Sequence, residues 1–364
     1  MSRPLRVCYF GAYDPAYPRN AILRDGLRRC GVEVVECRIS PRTRIVLRAG
    51  ALLAQFGRLA RKRFDAFVVA ELNPEVVWLA RLLGIPWNTP VVLDIFFSRY
   101  DAVVHDRATE RAWSPRAVTL RLIEGAAMRT AHAVLADTAA HAAHYRSAFR
   151  LPRVRFDVVP VGADERVFRQ APAAERHVGE CVVGFWGTYI PLHGVGTIVE
   201  AAALLRDEPI RFDLVGRGQT YAGIAEAVGR LKLPNVRLLP LVGPAELARF
   251  TQQCDVALGI FGATPKASRV VPHKVFQAML SGLPVITRDS PAVREFFRPG
   301  EHLLAVPPGD ARALADAILR LRDDASLRLR LGRQAHQLVR DRFTAGPIGE
   351  RLLSTLESLA RSRR

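Results

Sequence analysis

Short apolar runs alternate with amphipathic stretches from one end of this chain to the other. Strand-length runs fall at 5–10, 32–37, 66–70, 90–94, 133–136 and 156–161, and helical periodicity lies between them at 20–30, 74–83, 116–130 and 138–149. A polar, small-residue segment, "FRQAPAAERHVGE" over 168–180, interrupts the alternation and reads as a linker. The alternation then restarts. Strands are expected at 182–186, 211–215, 236–239, 255–260, 284–287 and 303–306, with helices starting near Gly194, Thr220, Pro244, Pro272, Pro291 and Asp310. Regular strand–helix alternation predicts parallel sheets covered by helices on both faces. The expected fold is therefore α/β, with two doubly wound, Rossmann-like domains. The boundaries are 1–167 for the first domain, 168–180 for the linker and 181–344 for the second domain. A final helix over 345–364, ending in basic residues, is expected to pack back on the first domain. Ligands of such sheets bind outside the carboxyl ends of the strands, here in a cleft between facing domains.

Composition narrows the class. The chain has 364 residues, 49% of them hydrophobic and 24% charged, enough for two ordinary cores. No apolar run approaches the roughly 20 residues of a membrane span, and the opening "MSRPLRVCYFGAYD" reads as a strand, not a signal peptide. Cys8, Cys30, Cys37, Cys181 and Cys254 show neither CxxC nor zinc spacing and read as reduced, buried residues of a cytoplasmic protein. The net charge of +18 calls for nucleic acid, an anionic membrane or a phosphorylated small molecule, although arginine supplies most of it, as a GC-rich genome would.

The sharpest local signal is "VVPHKVFQAMLSGLPVITRDS". Here His273 and Lys274 open a helix, where the dipole favours an anion. A basic pair at that place implies a phosphate between it and the helix end. Glycines follow several strands: Gly11 after the first, Gly187 and Gly194 between a later strand and helix, and Gly216 and Gly218 after a third. They let backbone N–H groups approach a phosphate. None belongs to a GxGxxG fingerprint and no GxxxxGK[ST] is present, which counts against nicotinamide cofactors and ATPase chemistry. Past the fourth strand, "VVLDIFFSRYDAVVHDR" holds Asp94, Asp101, His105 and Asp106, placed for acceptor orientation or proton relay, or simply for capping a loop. The "HAAH" pair, His141 and His144, lacks a carboxylate motif and reads as two surface histidines, and no metal site is expected.

From Cys37 to Phe64 there is no acidic residue. Drawn as a helix, Ile45, Val46, Ala49, Leu52, Leu53, Phe56, Leu59 and Ala60 share one face, while Arg44, Arg48, Arg58 and Lys62 share the other. Two readings fit. One is a core-packed helix with a solvated basic face, and the other is an anionic-membrane surface over 38–63, placing the protein peripherally on the cytoplasmic membrane.

The segments "GTYIPLHGVGTIVEAA", "LVGRGQT", "PHKVFQAMLSGLPVIT", "DSPAVREFF" and "GEHLLAVPPGDARALADAI", in that order along the chain, resemble the donor domain of GT-B glycosyltransferases, in particular retaining family four. "LRVCYFGAYDPAYPRNAILRDGLRRCGVEV" and "VVPVGADERVF" extend the likeness over nearly the whole chain. The resemblance implies a nucleotide diphosphate sugar donor, a glycan or lipid-linked acceptor, and neither cofactor nor metal. It implies donor contacts from Gly11, Gly187, Thr188, His193, Arg217, Arg269, Lys274, Gln277 and Glu295, while the place of Asp101, His105 and Asp106 past the fourth strand makes them the catalytic candidates. The family's paired glutamates, eight residues apart, fall on Arg269 and Gln277. Gln277 can still bond ribose hydroxyls, and Arg269 can clamp phosphate but cannot replace a carboxylate. A catalytically silent nucleotide-binding subunit is therefore the alternative. A nucleic-acid-binding protein ranks lower, because no interleaved basic and aromatic platform is visible.

Overall fold

The computed structural model describes residues 4–59, 62–170 and 179–361. The chain divides into two compact units. The first comprises Met1–Val104, Ala108–Gly162 and Thr344–Arg364, and the second His105–Arg107 and Ala163–Phe343. Most of the expected 168–180 linker lies outside the described residues.

In the first unit the order is β1 (Arg6–Ala12), α1 (Pro18–Arg29), β2 (Glu33–Ile39), α2 (Ile45–Gly57), β3 (Ala66–Val69), α3 (Val77–Gly84), β4 (Val91–Asp94), α4 (Arg99–Asp101), α5 (Pro115–Thr130), β5 (Ala133–Ala136), α6 (Ala139–Ala148) and β6 (Phe156–Val158). The second unit runs β7 (Cys181–Trp186), α7 (Val195–Leu204), β8 (Ile210–Val215), α8 (Tyr221–Leu231), β9 (Val236–Leu239), α9 (Pro244–Gln252), β10 (Val256–Leu258), α10 (His273–Leu280), β11 (Val285–Arg288), α11 (Pro291–Phe296), β12 (Leu304–Val306), α12 (Ala311–Asp323) and α13 (Ala325–Arg342). The last helix, α14 (Ala345–Arg361), returns to the first unit.

Each unit is built on one six-stranded sheet, ordered β2-β1-β3-β4-β5-β6 in the first and β12-β11-β10-β7-β8-β9 in the second. Every named strand pair is parallel. Buried strands read as continuous apolar runs because helices cover both sheet faces. Helix starts follow local chemistry. Ser114, Thr138, Ser290, Asp310 and Asp324 each accept a backbone N–H three residues on, closing the first turns of α5, α6, α11, α12 and α13. The helix α13 is not among the sequence expectations: no strand follows α12, so the alternation gives no cue for it.

The α14 helix packs along α1 at a glycine crossing. A Cβ on Gly26 would lie 2.3 Å from the Ala345 carbonyl oxygen and 2.8 Å from Gly349 Cα, so these backbones approach too closely for any side chain.

The α2 helix departs from the core-packed reading. Only Leu52 and Phe56 are buried, whereas Ile45, Val46, Leu47 and Leu53 are exposed, Val46 by 84%. Arg48 does not stand on a solvated face, because it pairs with Glu75. The helix ends at Gly57, so Leu59 and Lys62 lie beyond it, and Ala60 falls outside the described residues.

Candidate functional site

In the second sheet the strand order reverses between β7 and β10. Such a reversal opens a crevice at the strands' carboxyl ends, where ligands of parallel sheets bind. Gly187 leaves β7 there with φ +148°. A short 3-10 turn, Pro191–His193, follows, and Gly194 in the left-handed region (φ +62°) starts α7. The turn is anchored from below: the Asp106 carboxylate accepts the Leu192 N–H at 2.8 Å. Arg288, buried at the end of β11, donates to the Gly262 carbonyl, and Gly262 N would lie 2.4 Å from any Cβ on Gly194. The loop geometry is thus fixed by packing.

Lys274 points at this loop from the first turn of α10. The helix has no side-chain cap at Pro272 and no acidic residue in its first turn. The lysine is 5% exposed, and its Nζ has no hydrogen-bond partner among the described residues. Nζ sits 3.8 Å from the Phe185 ring centroid. A Cβ on Gly187 would lie 2.8 Å from Nζ and 3.2 Å from His193 Cε1, so the glycine makes room where lysine and histidine converge. Burial pushes the Lys274 pKa well down. Burial and the Lys274 charge push His193 down too, and its Nδ1 bonds the Thr188 carbonyl. A buried amine that finds no counter-charge among the described residues, beside an imidazole whose pKa is pushed down, can receive an anion, which would favour the charge that burial suppresses.

The other residues expected at a donor site are more dispersed. The Gln277 Oε1 accepts the Trp186 indole N–H at 2.9 Å, which leaves its NH2 group to meet a ligand. Arg269 is half-buried beside the 3-10 turn Lys266–Ser268. Arg217 is exposed and stacks on Tyr221 at 3.8 Å, Thr188 is exposed, and Glu295 lies on the exposed face of α11. Sequence reading missed Phe185 and Trp186, which hold Lys274 and Gln277. Their only signal was being aromatic at the end of a strand.

The first sheet corrects two expectations. Gly11 lies inside β1, not after it, and the group packed against it is the Asn73 side chain, whose Cγ would lie 2.9 Å from any Cβ placed there. His141 and His144 are not surface residues. His141 is fully buried, with Nδ1 2.6 Å from Asp137, and His144 Nε2 lies 3.1 Å from Asp101. Asp101 is itself fully buried, and its N–H caps on Ser98. His105, half-buried, lies in the π-helical turn Ala102–Asp106. Of the three residues given catalytic roles, Asp101 faces His144 and Asp106 accepts the Leu192 N–H. Arg19, also missed, is fully buried and closes its guanidinium fork on Asp94 with two bonds of 2.9 Å.

Family comparison fits this two-sheet plan. Residues 5–162 match the model described as glycosyl transferase 4-like domain, and residues 180–324 match glycosyl transferases group 1. The chain belongs to the group 1 glycosyltransferases. This glycosyltransferase is 28% identical over 281 residues to the D-inositol 3-phosphate glycosyltransferase of Nocardia farcinica, a match covering 72% of the chain and 60% of that relative's length. It is 27% identical over 209 residues to the phosphatidyl-myo-inositol mannosyltransferase of Mycobacterium leprae, covering 56% and 54% of the two. Among solved structures, the sucrose-phosphate synthase of Thermosynechococcus elongatus aligns with TM-score 0.76 at 18% identity, over 99% of this chain and 100% of the other. Anabaena HepE, solved in complex with UDP and glucose, aligns with TM-score 0.69 at 16% identity over 97% and 99%. At these identities the structures establish the fold, which is of GT-B type.

Proposed function

We propose that this glycosyltransferase moves a sugar from a nucleotide diphosphate donor to an acceptor hydroxyl with retention of configuration and without a metal ion. The observation that carries the reading is the buried, uncompensated Lys274 facing Gly187 and His193 at the crevice of the second sheet. Departure of a nucleoside diphosphate develops negative charge on its phosphates, and a preorganised cation in a dry site stabilises that charge. The UDP in the HepE complex supports the ligand class. The inositol-directed relatives support a polyol or lipid-linked acceptor. Exposed Ile45, Val46, Leu47 and Leu53, together with the net charge, support docking of α2 on an anionic membrane.

The test is a thermal-shift screen of nucleoside mono- and diphosphates and nucleotide sugars, followed by NMR of the anomeric product. Diphosphates should raise the melting temperature more than nucleosides. No stabilisation by any diphosphate would reject the reading. Arg269 and Gln277 standing where the family has glutamates favours a second reading, a silent nucleotide-binding subunit. Tight diphosphate binding without turnover across donors and acceptors would select it.

A further inference from the structure

The first sheet carries a carboxylate that the donor reading leaves unused. Strand order there reverses between β1 and β3, which makes the carboxyl ends of those strands its ligand crevice. Glu71 stands two residues past β3 and is 6% exposed. One of its oxygens accepts from Asn20 Nδ2 at 3.2 Å, and Asn20 is oriented by the Tyr9 hydroxyl, which donates to its Oδ1 at 2.9 Å. No described residue donates to the other oxygen. Arg19 is already committed, with Asp94 on its fork and the Val159 and Pro160 carbonyls at 2.7 and 2.8 Å on Nη1.

The backbone at Glu71 is held in a costly shape. Leu72 has φ +61°, a left-handed conformation disfavoured for a residue with a Cβ. Asn73 Nδ2 fixes the Glu71 carbonyl at 2.7 Å, and Arg48 and Arg99 both reach the Leu72 carbonyl at 3.4 Å. Strain held by several independent partners concentrates at binding sites.

We propose that Glu71 binds the sugar acceptor, receiving hydrogen bonds from adjacent hydroxyls of a polyol. This rests on the glycosyl-transfer reading above. A carboxylate beside a neutral amide suits vicinal hydroxyls, which need acceptors and no counter-charge. The groups facing Glu71 are Tyr9 from β1, Tyr17, Arg19 and Asn20 from α1 and its cap, Asp94 from β4 and Arg99 from α4. Burial, then the Asp94 charge, raises Glu71 to about 7, whereas Tyr9, Tyr17 and Arg19 shift further from neutrality. Ionised Glu71 accepts hydroxyl bonds more strongly than the protonated form, so polyol affinity rises with pH across neutrality.

The experiment titrates the full chain, saturated with whichever nucleoside diphosphate stabilises it, with uncharged myo-inositol by calorimetry at pH 6, 7 and 8. Wild type should bind more tightly as pH rises. Glu71→Ala should weaken binding about tenfold or more, and Glu71→Gln should bind with no pH dependence. Diphosphate binding should stay unchanged in both variants, showing that they fold and that the donor site is intact. Wild-type affinity in Glu71→Ala, a pH dependence that survives Glu71→Gln, or no inositol binding by the wild type overturns the proposal while leaving the donor reading standing. Glu71-dependent binding of glucosamine without inositol binding overturns the polyol class. Failure of the wild type to bind any diphosphate is the separate failure of the donor reading.

Discussion

Replacing Lys274 by methionine keeps a long side chain against Phe185 and removes the amine. Among the described residues the buried Nζ has no hydrogen-bond partner, and the Phe185 face lies 3.8 Å away. Such a contact is worth up to about 2 kcal/mol when desolvated, and burial still drives the pKa well below the ordinary lysine value. A docking diphosphate supplies the missing counter-charge and a charge-assisted hydrogen bond worth about 1.5–3 kcal/mol. Lys274→Met should therefore weaken diphosphate binding by about 10- to 150-fold and leave the free nucleoside almost unaffected. Burial lowers the amine's pKa and a bound diphosphate would raise it, so binding should be linked to proton uptake. Burial, and after it the Lys274 charge, holds the His193 pKa down. Diphosphate affinity should thus fall as pH rises from the depressed lysine value toward its value in the complex. The sign for stability is opposite to the benefit in binding. With a folded pKa below the unfolded one, Lys274 costs stability as pH falls below the ordinary lysine value, so Lys274→Met should melt higher at neutral pH without ligand. Calorimetry in buffers of different ionisation enthalpy counts the protons. Equal losses for diphosphate and nucleoside, or wild-type affinity without proton uptake, would refute this account of the site.

Three further outcomes follow from other parts of the fold. Gly187→Ala places a methyl 2.8 Å from Lys274 Nζ at φ +148° and should abolish diphosphate stabilisation in a thermal-shift assay while the chain still melts cooperatively. Asp94→Asn leaves the fully buried Arg19 without its carboxylate and should destabilise the first unit by about 3–5 kcal/mol in denaturant titration. Because the folded pKa of Glu71 is raised, its contribution is fully present below its unfolded value and is lost as pH rises to about 7; Glu71→Gln should flatten that decline in melting temperature.

The strands and most helices were legible in the sequence because parallel strands buried on both faces must be apolar runs, and the helices between them carry periodicity, caps and proline starts. The phosphate suspicion at His273 and Lys274 was equally local, since it needs only a helix start and a misplaced cation. The resemblance named the fold and the residue types expected to face a donor. The rest depends on which strand lies beside which. Only the sheet order places Glu71 beside β1 and Gly187 beside β10, at the two reversals where ligands of parallel sheets bind. Burial is likewise a property of the packed chain: "HAAH" looks solvated in one dimension, yet α6 turns His141 fully inward. The α2 stripe looks like a core face, but only Leu52 and Phe56 find neighbours to bury them. Periodicity tells which residues share a face, and tertiary structure decides what, if anything, covers it.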